Sequence, residues 1–585
     1  MRTGLEAHTA VMGLMQPTLP DVDPARWPQL GRLERIRELA PFWVDHGFGT
    51  QRVVHLLYVV KCVLYAGGAV LVTAWTTPGL GGVANVGHWS SEPIFFQKAV
   101  VATLLFEILG LGCGSGPLTL RINPPIGGPL YWLRPGTVRL PPWPNRVPLT
   151  AGTNRTPLEV VLYGALLVLL VLALVSGGSG PIPALDTELG VLPAWHTISV
   201  LAVLAAVGLR DKVIFLATRG EVYGPLALAF LLTGVDAVVA AKVVFLVIWM
   251  GAATSKLNRH FPFVIASMLS NSPFVRPAAV KRAFFQRFPD DLRPSRLARV
   301  GAHVATAIEL LVPLVLFFSH GGWPTAIAAF VMVCFHLGIF AAFPMGVPLE
   351  WNVFMMFGVL WLFVAHAPAG LADLTNPVPV ALLFVVMVTV VTIGNLLPRK
   401  VSFLPGMRYY AGNWDTTLWC VKPSADERIE KAARSLFLMQ HRELEKVYGS
   451  KEEALIPTYL AFAHRGLNTH GRALFTLAHR AMAGYDEAEF NLCEGELMCA
   501  MVVGWHFGDG HMHNEQLIAA LHERCKFEPG EVRVVILDGQ PIHRQSQQYR
   551  LVDAATGEFE RGYIRVADMV SAQPWADDLP VHVTP

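Results

Sequence analysis

Eight runs of largely apolar residues fall at about 53–75, 94–112, 158–178, 191–209, 300–320, 324–343, 352–368 and 378–397. Each is close to the roughly 20 residues that a helix needs to cross the hydrocarbon core of a bilayer, so the chain is expected to fold as a polytopic α-helical membrane bundle. Composition agrees: 53% of the 585 residues are hydrophobic and 15% are charged, against about 25% charged in an ordinary soluble domain. The 51 Gly and 42 Pro follow no period, which excludes collagen and low-complexity disorder. With 46 basic and 44 acidic residues the formal charge is +2, so nothing argues for a nucleic-acid partner. Seven cysteines are too few and too scattered for a disulfide framework.

The charges between the runs set an orientation. Residues 113–156 carry Arg121, Arg134, Arg139, Arg146 and Arg155 and no acid, whereas 76–93 has no Lys or Arg and 179–190 has only Asp186 and Glu188. By the positive-inside bias the first of these loops is expected in the cytoplasm and the other two outside. The stretch 224–255 is apolar but interrupted by Asp236 and Lys242, and a basic segment from Lys256 to Arg299 follows it. As one span it would put that segment outside, so a broken pair or re-entrant hairpin is expected, giving about 9–10 spans in all. Arg399, Lys400 and Arg408 follow the last run, which predicts that both termini are cytoplasmic.

Three regions result. Residues 1–52 form a cytoplasmic N-terminal segment with no signal peptide; in it Leu33, Ile36 and Leu39 mark an amphipathic helix, to be laid either on the membrane surface or on the protein itself. Residues 53–399 form the transmembrane helical domain. From about 400 the composition becomes that of a soluble protein, and 400–585 is expected to be a cytoplasmic α+β domain with its own core. Apolar spacing there predicts helices at 425–446, 453–483 and 514–525, and strands at 532–537, 549–552 and 563–566.

Ionisable residues inside apolar runs are expensive and therefore candidates for function; here they include His55, Lys61, Lys98, Glu107, His196, Asp236, Lys242, His303, Glu309 and His336. The most suggestive stretch is Trp249-Met-Gly-Ala-Ala-Thr-Ser-Lys256-Leu-Asn-Arg-His-Phe261 together with Glu309 and His336. At the mouth of an apolar bundle desolvation favours the uncharged amine of Lys256, which is a base, and Glu309 and His336 could relay its proton. The plainer reading is that Lys256 and Arg259 mark the cytoplasmic end of a span.

In the soluble part, His506, Asp509, His511 and His513 lie around a Gly-Asp-Gly turn. An extended His511-Met-His513 would point both imidazoles to one side, and three imidazoles with a carboxylate suit Zn, Fe or Mn; a histidine that hydrogen-bonds at a helix start is the alternative. His464-Arg465, His470-x-Arg472 and His479-Arg480 recur at helical spacing, a face for a phosphate or carboxylate through Arg forks, or a solvated or docked face. Gly110 to Gly116 could bring backbone N–H groups to an anion beside Arg121 and Arg134, or be a tight exit from a helix. Cys493 and Cys499 lack zinc-site spacing and read as buried small side chains.

On Gly112-Cys-Gly-Ser-Gly-Pro-Leu-Thr-Leu-Arg121, Asn413-Trp-Asp-Thr-Thr-Leu-Trp419, His464-Arg-Gly-Leu-Asn-Thr-His-Gly-Arg472 and Gly508-Asp-Gly-His-Met-His-Asn-Glu-Gln516, the whole chain resembles one actinobacterial family of transmembrane proteins of unknown function. That resemblance implies a plasma-membrane protein and supplies no activity. A second, looser resemblance, over about residues 50–400, is to the horizontally transferred transmembrane domain of vitamin K-dependent γ-carboxylases and their bacterial relatives. There a Gly-x-x-Lys-Leu-like element carries a catalytic lysine; Lys256 is the matching position, with a longer Gly-to-Lys spacing and no large outward domain after the spans. It implies a quinol-linked reaction.

Three functions are therefore carried forward. The first is a membrane-embedded enzyme, redox or carboxylase-like, on a lipid-soluble substrate, with Lys256 as base and a quinone-type lipid or divalent metal as cofactor. The second is a transporter or lipid-handling protein built on the interrupted stretch with Asp236 and Lys242. The third is a membrane scaffold that recruits a cytoplasmic partner.

Overall fold

The computed structural model describes residues 17–112, 127–183, 187–342, 349–508 and 510–585. The first helix, α1 (Arg32–His46), buries Ile36, Leu39, Ala40, Trp43 and Val44, the i, i+3, i+4, i+7 stripe of an amphipathic helix. That stripe packs on the C-terminal part of the chain, with Trp43 stacked on His464 at 4.7 Å. Of the two placements expected for this helix, the one against its own protein is the one adopted.

The apolar runs become α2 (Arg52–Thr76), α3 (Pro93–Ile108), α4 (Pro157–Val175), α5 (Ala194–Arg210), α6 (Lys212–Ala217), α7 (Gly220–Ala229), α8 (Val235–Ser255), α9 (Phe261–Asn271), α10 (Arg296–Phe318), α11 (Gly322–Ala342), α12 (Leu349–Gly358) and α13 (Pro377–Leu396). Among the described residues six of these, α2, α4, α8, α10, α11 and α13, are long and apolar enough to cross a membrane. The runs at 94–112, 191–209 and 352–368 give shorter pieces; α3, for example, is opened by Pro93 and followed by a turn at Gly110, where φ is +77°. Helix α12 continues as a π-helix over Val359–Ala365. Gly358, where the two meet, lies so close to α8 that a Cβ would overlap the Phe245 ring.

The interrupted stretch is α7, of 10 residues, followed by α8, of 21 residues. Arg219 separates α6 from α7 in a left-handed conformation (φ 55°). Helix α8 is the central post: 83% of its apolar window is buried, against 17% for α2 and 22% for α13. At its start the Asp236 carboxylate accepts from the Thr375 N–H and hydroxyl, both at 2.8 Å, and from the Asn376 N–H at 2.9 Å. One turn and a half on, Lys242 donates to the carbonyls of His366, Ala367 and Ala369 at 2.9, 3.3 and 2.6 Å, in the turn that follows the π-helix.

At the other end of the bundle, four charged residues from the arginine-rich segment and its neighbours are buried together. Arg155 meets Asp211 at 2.8 Å, Arg139 lies 3.5 Å from Glu159, and Arg139 also donates to the carbonyls of Asn154 and Arg210 at 2.9 and 2.7 Å. Asp211 in turn caps α6 by accepting from the Val213 N–H at 3.1 Å. These arginines are structural ties as well as topological markers.

The C-terminal part is a six-stranded antiparallel sheet of order β4-β3-β5-β6-β7-β8, built from β3 (Thr416–Val421), β4 (Asn491–Glu494), β5 (Val532–Leu537), β6 (Ser546–Asp553), β7 (Gly557–Arg565) and β8 (Val581–Val583); β1 (Phe285–Arg287) and β2 (Asp291–Pro294) form a separate small hairpin. The three expected strands are present, and β3, β4 and β8 are additional. The helix expected at 425–446 is two, α14 (Pro423–Ala433) and α15 (Gln440–Tyr448), parted where Arg434 turns left-handed at φ 53°. The one expected at 453–483 is α16 (Lys451–Leu467) and α17 (Thr469–Ala481), parted at Asn468. Helix α18 (Gly495–Val503) was not expected, and α19 (Glu515–Cys525) opens on Asn514 as its side-chain cap.

This part does not have a core of its own. One apolar cluster runs unbroken from the bundle helices into Trp419, Met498, Trp505 and Val534, and a second joins α1 and the β1–β2 hairpin to β3, α16, α17 and β7.

The buried Arg155–Asp211 pair gives a stability prediction. Asp211→Ala leaves Arg155 enclosed without its carboxylate and is expected to cost about 3–5 kcal/mol, read as a large drop in the melting temperature of the detergent-purified protein. Glu427→Ala, at an 81% exposed side chain, should leave melting unchanged.

Candidate functional site

Helix α8 ends in a turn clamped by Asn258. The Asn258 side-chain oxygen accepts from the N–H groups of His260 and Phe261 at 2.8 and 2.9 Å, while its amide donates to the Ser255 and Ala411 carbonyls at 2.7 and 2.9 Å. This Asx-type turn starts α9 and fixes Lys256 at the C-terminal end of α8. The ammonium of Lys256 forms a salt bridge with Glu309. Glu309 lies in the buried stripe of α10 formed by Ala298, Ala302, Thr306, Glu309 and Pro313, so the helix periodicity itself turns the carboxylate inward.

His336, on the buried face of α11, completes the group. Its Nε2 accepts from the Trp249 indole N–H at 3.1 Å, which places the ring proton on Nδ1, donating to Asn352 Oδ1 at 2.9 Å. Both ring nitrogens are therefore engaged. Through these two bonds His336 ties α11 to α8 and α12 beside the Lys256–Glu309 pair.

Lys256, Glu309 and His336 line one cavity of about 90 Å³, walled on the bundle side by Ile248, Ala252, Ala305 and Ile339. It is smaller than the ~150 Å³ apolar cavity that accepts a benzene ring. Its other wall is formed by Trp351 of α12 and, from the polypeptide beyond the bundle, Tyr409, Tyr410 and Phe507. Arg219 sits among three of these rings, 4.6 Å from Trp351, 5.4 Å from Tyr409 and 5.1 Å from Phe507, with its Nε donating to Glu221 at 2.7 Å. The left-handed turn between α6 and α7 thus delivers a paired cation to an aromatic cage.

Tyr410 and Phe507 also bound a second cavity, of about 130 Å³, between α1, α9 and the C-terminal part. Its polar centre is Arg465, whose Nε and Nη2 donate to Glu494 at 2.9 and 2.8 Å and which also pairs with Glu496. Burial opposes the charge of Arg465, but Glu494 and Glu496 together outweigh it and hold the guanidinium firmly protonated. Burial pushes His464 down to about 3, helped by the charge of Arg465 and opposed by Glu496. Burial, the Gln540 bond notwithstanding, takes His260 down to about 4.

The metal cluster expected from His506, Asp509, His511 and His513 is not assembled by the described residues, among which no group of three or more His, Cys, Asp or Glu is placed to hold a metal; Asp509 lies outside them. Gly510–Met512 is a turn of 3₁₀ helix and not extended, so His511 and His513 do not share a side. His513 Nδ1 is 2.6 Å from the Thr417 hydroxyl, His511 Nε2 is 3.1 Å from the Arg399 carbonyl, and His506 Nδ1 accepts from the Gly508 N–H at 3.4 Å. The expected arginine face is likewise spent internally: Arg465 on Glu494 and Glu496, Arg472 on the Gly466 and Met569 carbonyls at 2.9 and 3.2 Å, and Arg480 on Glu560 at 2.9 Å. Most of the glycine motif, residues 113–116, and Arg121 lie outside the described residues. Cys493 and Cys499 are buried, as expected.

Asn352, Arg219, Glu494 and Glu496 were not singled out from sequence, and Arg465 was read as a site for an anion and not as the partner of two carboxylates. The signal for Arg219 was a charge between apolar segments; for the others it was spread over distant segments.

Residues 12–584 match the family of transmembrane proteins of unknown function DUF3556. The chain belongs to that family. No curated protein and no solved structure matches it significantly. The DUF3556 match makes the apolar bundle a transmembrane one, with the six long helices as its candidate spans.

Two outcomes follow from this geometry. Lys256→Met strands Glu309 and should cost about 3–5 kcal/mol, whereas the Lys256→Met/Glu309→Leu double variant should regain most of that stability, measured by thermal melts of the purified protein. Because His464 titrates lower in the folded chain than its ordinary 6.5, the unfolded state binds more protons below 6.5; stability is complete above that pH and declines as the pH falls toward 3. His464→Phe, which keeps the stack on Trp43, should make that decline shallower.

Proposed function

We propose that this DUF3556 protein is a membrane-embedded enzyme that acts on a lipid-soluble substrate at the Lys256–Glu309 pair. The observation that carries the reading is that a buried ion pair lines a cavity among candidate spans, beside Arg219, His336 and Asn352, where apolar packing would be equally stable or more so. In the resting pair the proton is on Lys256; passing it to Glu309 leaves a neutral amine, which can take a proton from a substrate C–H or O–H. His336, Trp249 and Asn352 hold the helices so that pair and substrate meet. The cavity volume favours an extended or small reacting group over the planar ring of a quinone-type lipid.

The plasma membrane is the proposed location, with both termini in the cytoplasm. Supporting this are the positive-inside bias and three exposed tryptophans, Trp75, Trp195 and Trp323, at the bundle end far from the C-terminal part, as in an interfacial aromatic belt. The redox or carboxylase-like character rests on the looser resemblance alone. Transport loses its motivating residues, since Asp236 and Lys242 satisfy helix ends.

The test is untargeted mass spectrometry of native membrane lipids and cytosolic small molecules incubated with the protein in nanodiscs. Wild type should convert at least one lipid species, and Lys256→Met and Glu309→Gln should slow that conversion by about 100-fold or more, the scale of a lost general base. An unchanged lipid profile with wild type, or full conversion by Lys256→Met, would contradict the proposal.

A further inference from the structure

Three segments bring arginines to one end of the bundle, around the last turn of α11. Helix α2 begins there at Arg52, since Val54 and Tyr58 pack with Phe340 of α11. The segment after α9 is tied there by Ser272, whose hydroxyl donates to the Ala341 carbonyl at 2.9 Å and accepts from the Phe274 N–H at 3.3 Å. The first turns of α10 are there as well, with Ala302 in one cluster with Met268 of α9 and Ala342 of α11. On these segments Arg52, Arg276, Arg296 and Arg299 are all exposed. Among the described residues none of these four guanidinium groups has a hydrogen bond or an ion pair. Acids are scarce: from Lys256 to Arg299 the sequence has Asp290 and Asp291, and Asp291 is held by Arg293.

The residues that lead to these cations are apolar. On α10, Leu297, Val300, Val304, Leu311, Val315 and Phe318 are between 43% and 60% exposed, at the spacing of a single helix face. The opposite face is the buried stripe that carries Glu309. In a candidate span the exposed stripe meets acyl chains. Arg296 and Arg299 stand beside its first two residues, and Phe274, 71% exposed, lies two residues before Arg276. The stripe thus passes directly from an acyl-chain surface to a group of cations, as where arginines reach from a span to lipid phosphates.

We propose that this surface is a site for an acidic phospholipid in exchange with the surrounding bilayer. Its phosphate lies at Arg276, Arg296 and Arg299, Arg52 adds to the local positive charge, and an acyl chain follows Leu297, Val300 and Val304. A zwitterionic headgroup would set its own ammonium against the same arginines, which makes it the weaker occupant. A soluble anion would meet the arginines without using the apolar stripe that leads to them. The assignment does not depend on the reaction at Lys256.

The experiment uses the full chain in phosphatidylcholine nanodiscs that hold a trace of photoreactive phosphatidylglycerol or of photoreactive phosphatidylcholine, both with the same diazirine-bearing acyl chains. Mass spectrometry reads the labelled peptides. Phosphatidylglycerol should label residues 272–280 and 296–304 about fivefold or more over phosphatidylcholine, the scale of one basic side chain at an anionic headgroup. The two lipids should label Val378, Leu382 and Val385, exposed on α13, alike. Arg296→Gln/Arg299→Gln should bring the ratio at 272–280 and 296–304 close to one, and Arg276→Gln alone should lower it. Melting temperatures should hold, because no bond of these side chains is lost. Arg561→Gln/Arg565→Gln, which removes two exposed arginines of β7, should leave the ratio as in wild type. Equal labelling of 272–280 and 296–304 by the two lipids in wild type, a ratio unaffected by Arg296→Gln/Arg299→Gln, or the same fall in the β7 variant would overturn the proposal.

Discussion

The charges on α8 and at its end decide how the rest of the bundle is arranged. A helix that carries Asp236 and Lys242 and ends at Lys256 cannot face lipid with any of them unpaired. Asp236 takes the start of α13, Lys242 takes carbonyls of the turn after the π-helix, and Lys256 takes Glu309 of α10. Each tie draws a different neighbour onto α8, which is why it is the most enclosed of the candidate spans. The first two ties close backbone termini and need no further explanation. The third ties one side chain to another inside a cavity, an arrangement that is costly to build and easily replaced by leucine and methionine.

The C-terminal part closes that cavity and does not merely hang from the bundle. Phe507, from the loop after α18, and Tyr409 and Tyr410, from the segment after α13, form its lower wall and separate it from the chamber of Glu494 and Glu496. The segment after α1 closes one side of that chamber through Phe48, which meets His464 at 5.2 Å, and Trp43 of α1 stacks on the same imidazole at 4.7 Å. The shared apolar clusters follow from this: the polypeptide before α2 and that after α13 fold against the same end of the bundle.

What could be read from the sequence was what a short window contains. Apolar runs, charges within them, and the amphipathic stripe of α1 are local signals, so the bundle, the Lys256–Glu309–His336 group and α19 with its Asn514 cap were legible. Strand β3 was not, because all six of its residues are buried and no alternation remains to mark it. The break at Asn468 was hidden by apolar spacing that continues across it. The metal reading assumed extended backbone at His511–His513, whereas Gly510–Met512 is a 3₁₀ turn and Asp509 lies outside the described residues. What the two nitrogens of His336 touch was hidden as well, since Trp249 and Asn352 lie 87 and 16 residues away in the chain. The second cavity is lined by Trp414, Arg465, Glu494 and Glu496, on different elements, so no window of sequence displays it.

The central claim is that the Lys256 cavity is a binding place for a molecule drawn from the membrane. Native mass spectrometry of the full chain released from native-lipid nanodiscs tests it most directly, with Ala305→Phe as the variant that fills the cavity. The account predicts a single lipid species retained by wild type and lost from Ala305→Phe. The same lipid complement on both proteins, or none retained by wild type, would contradict it.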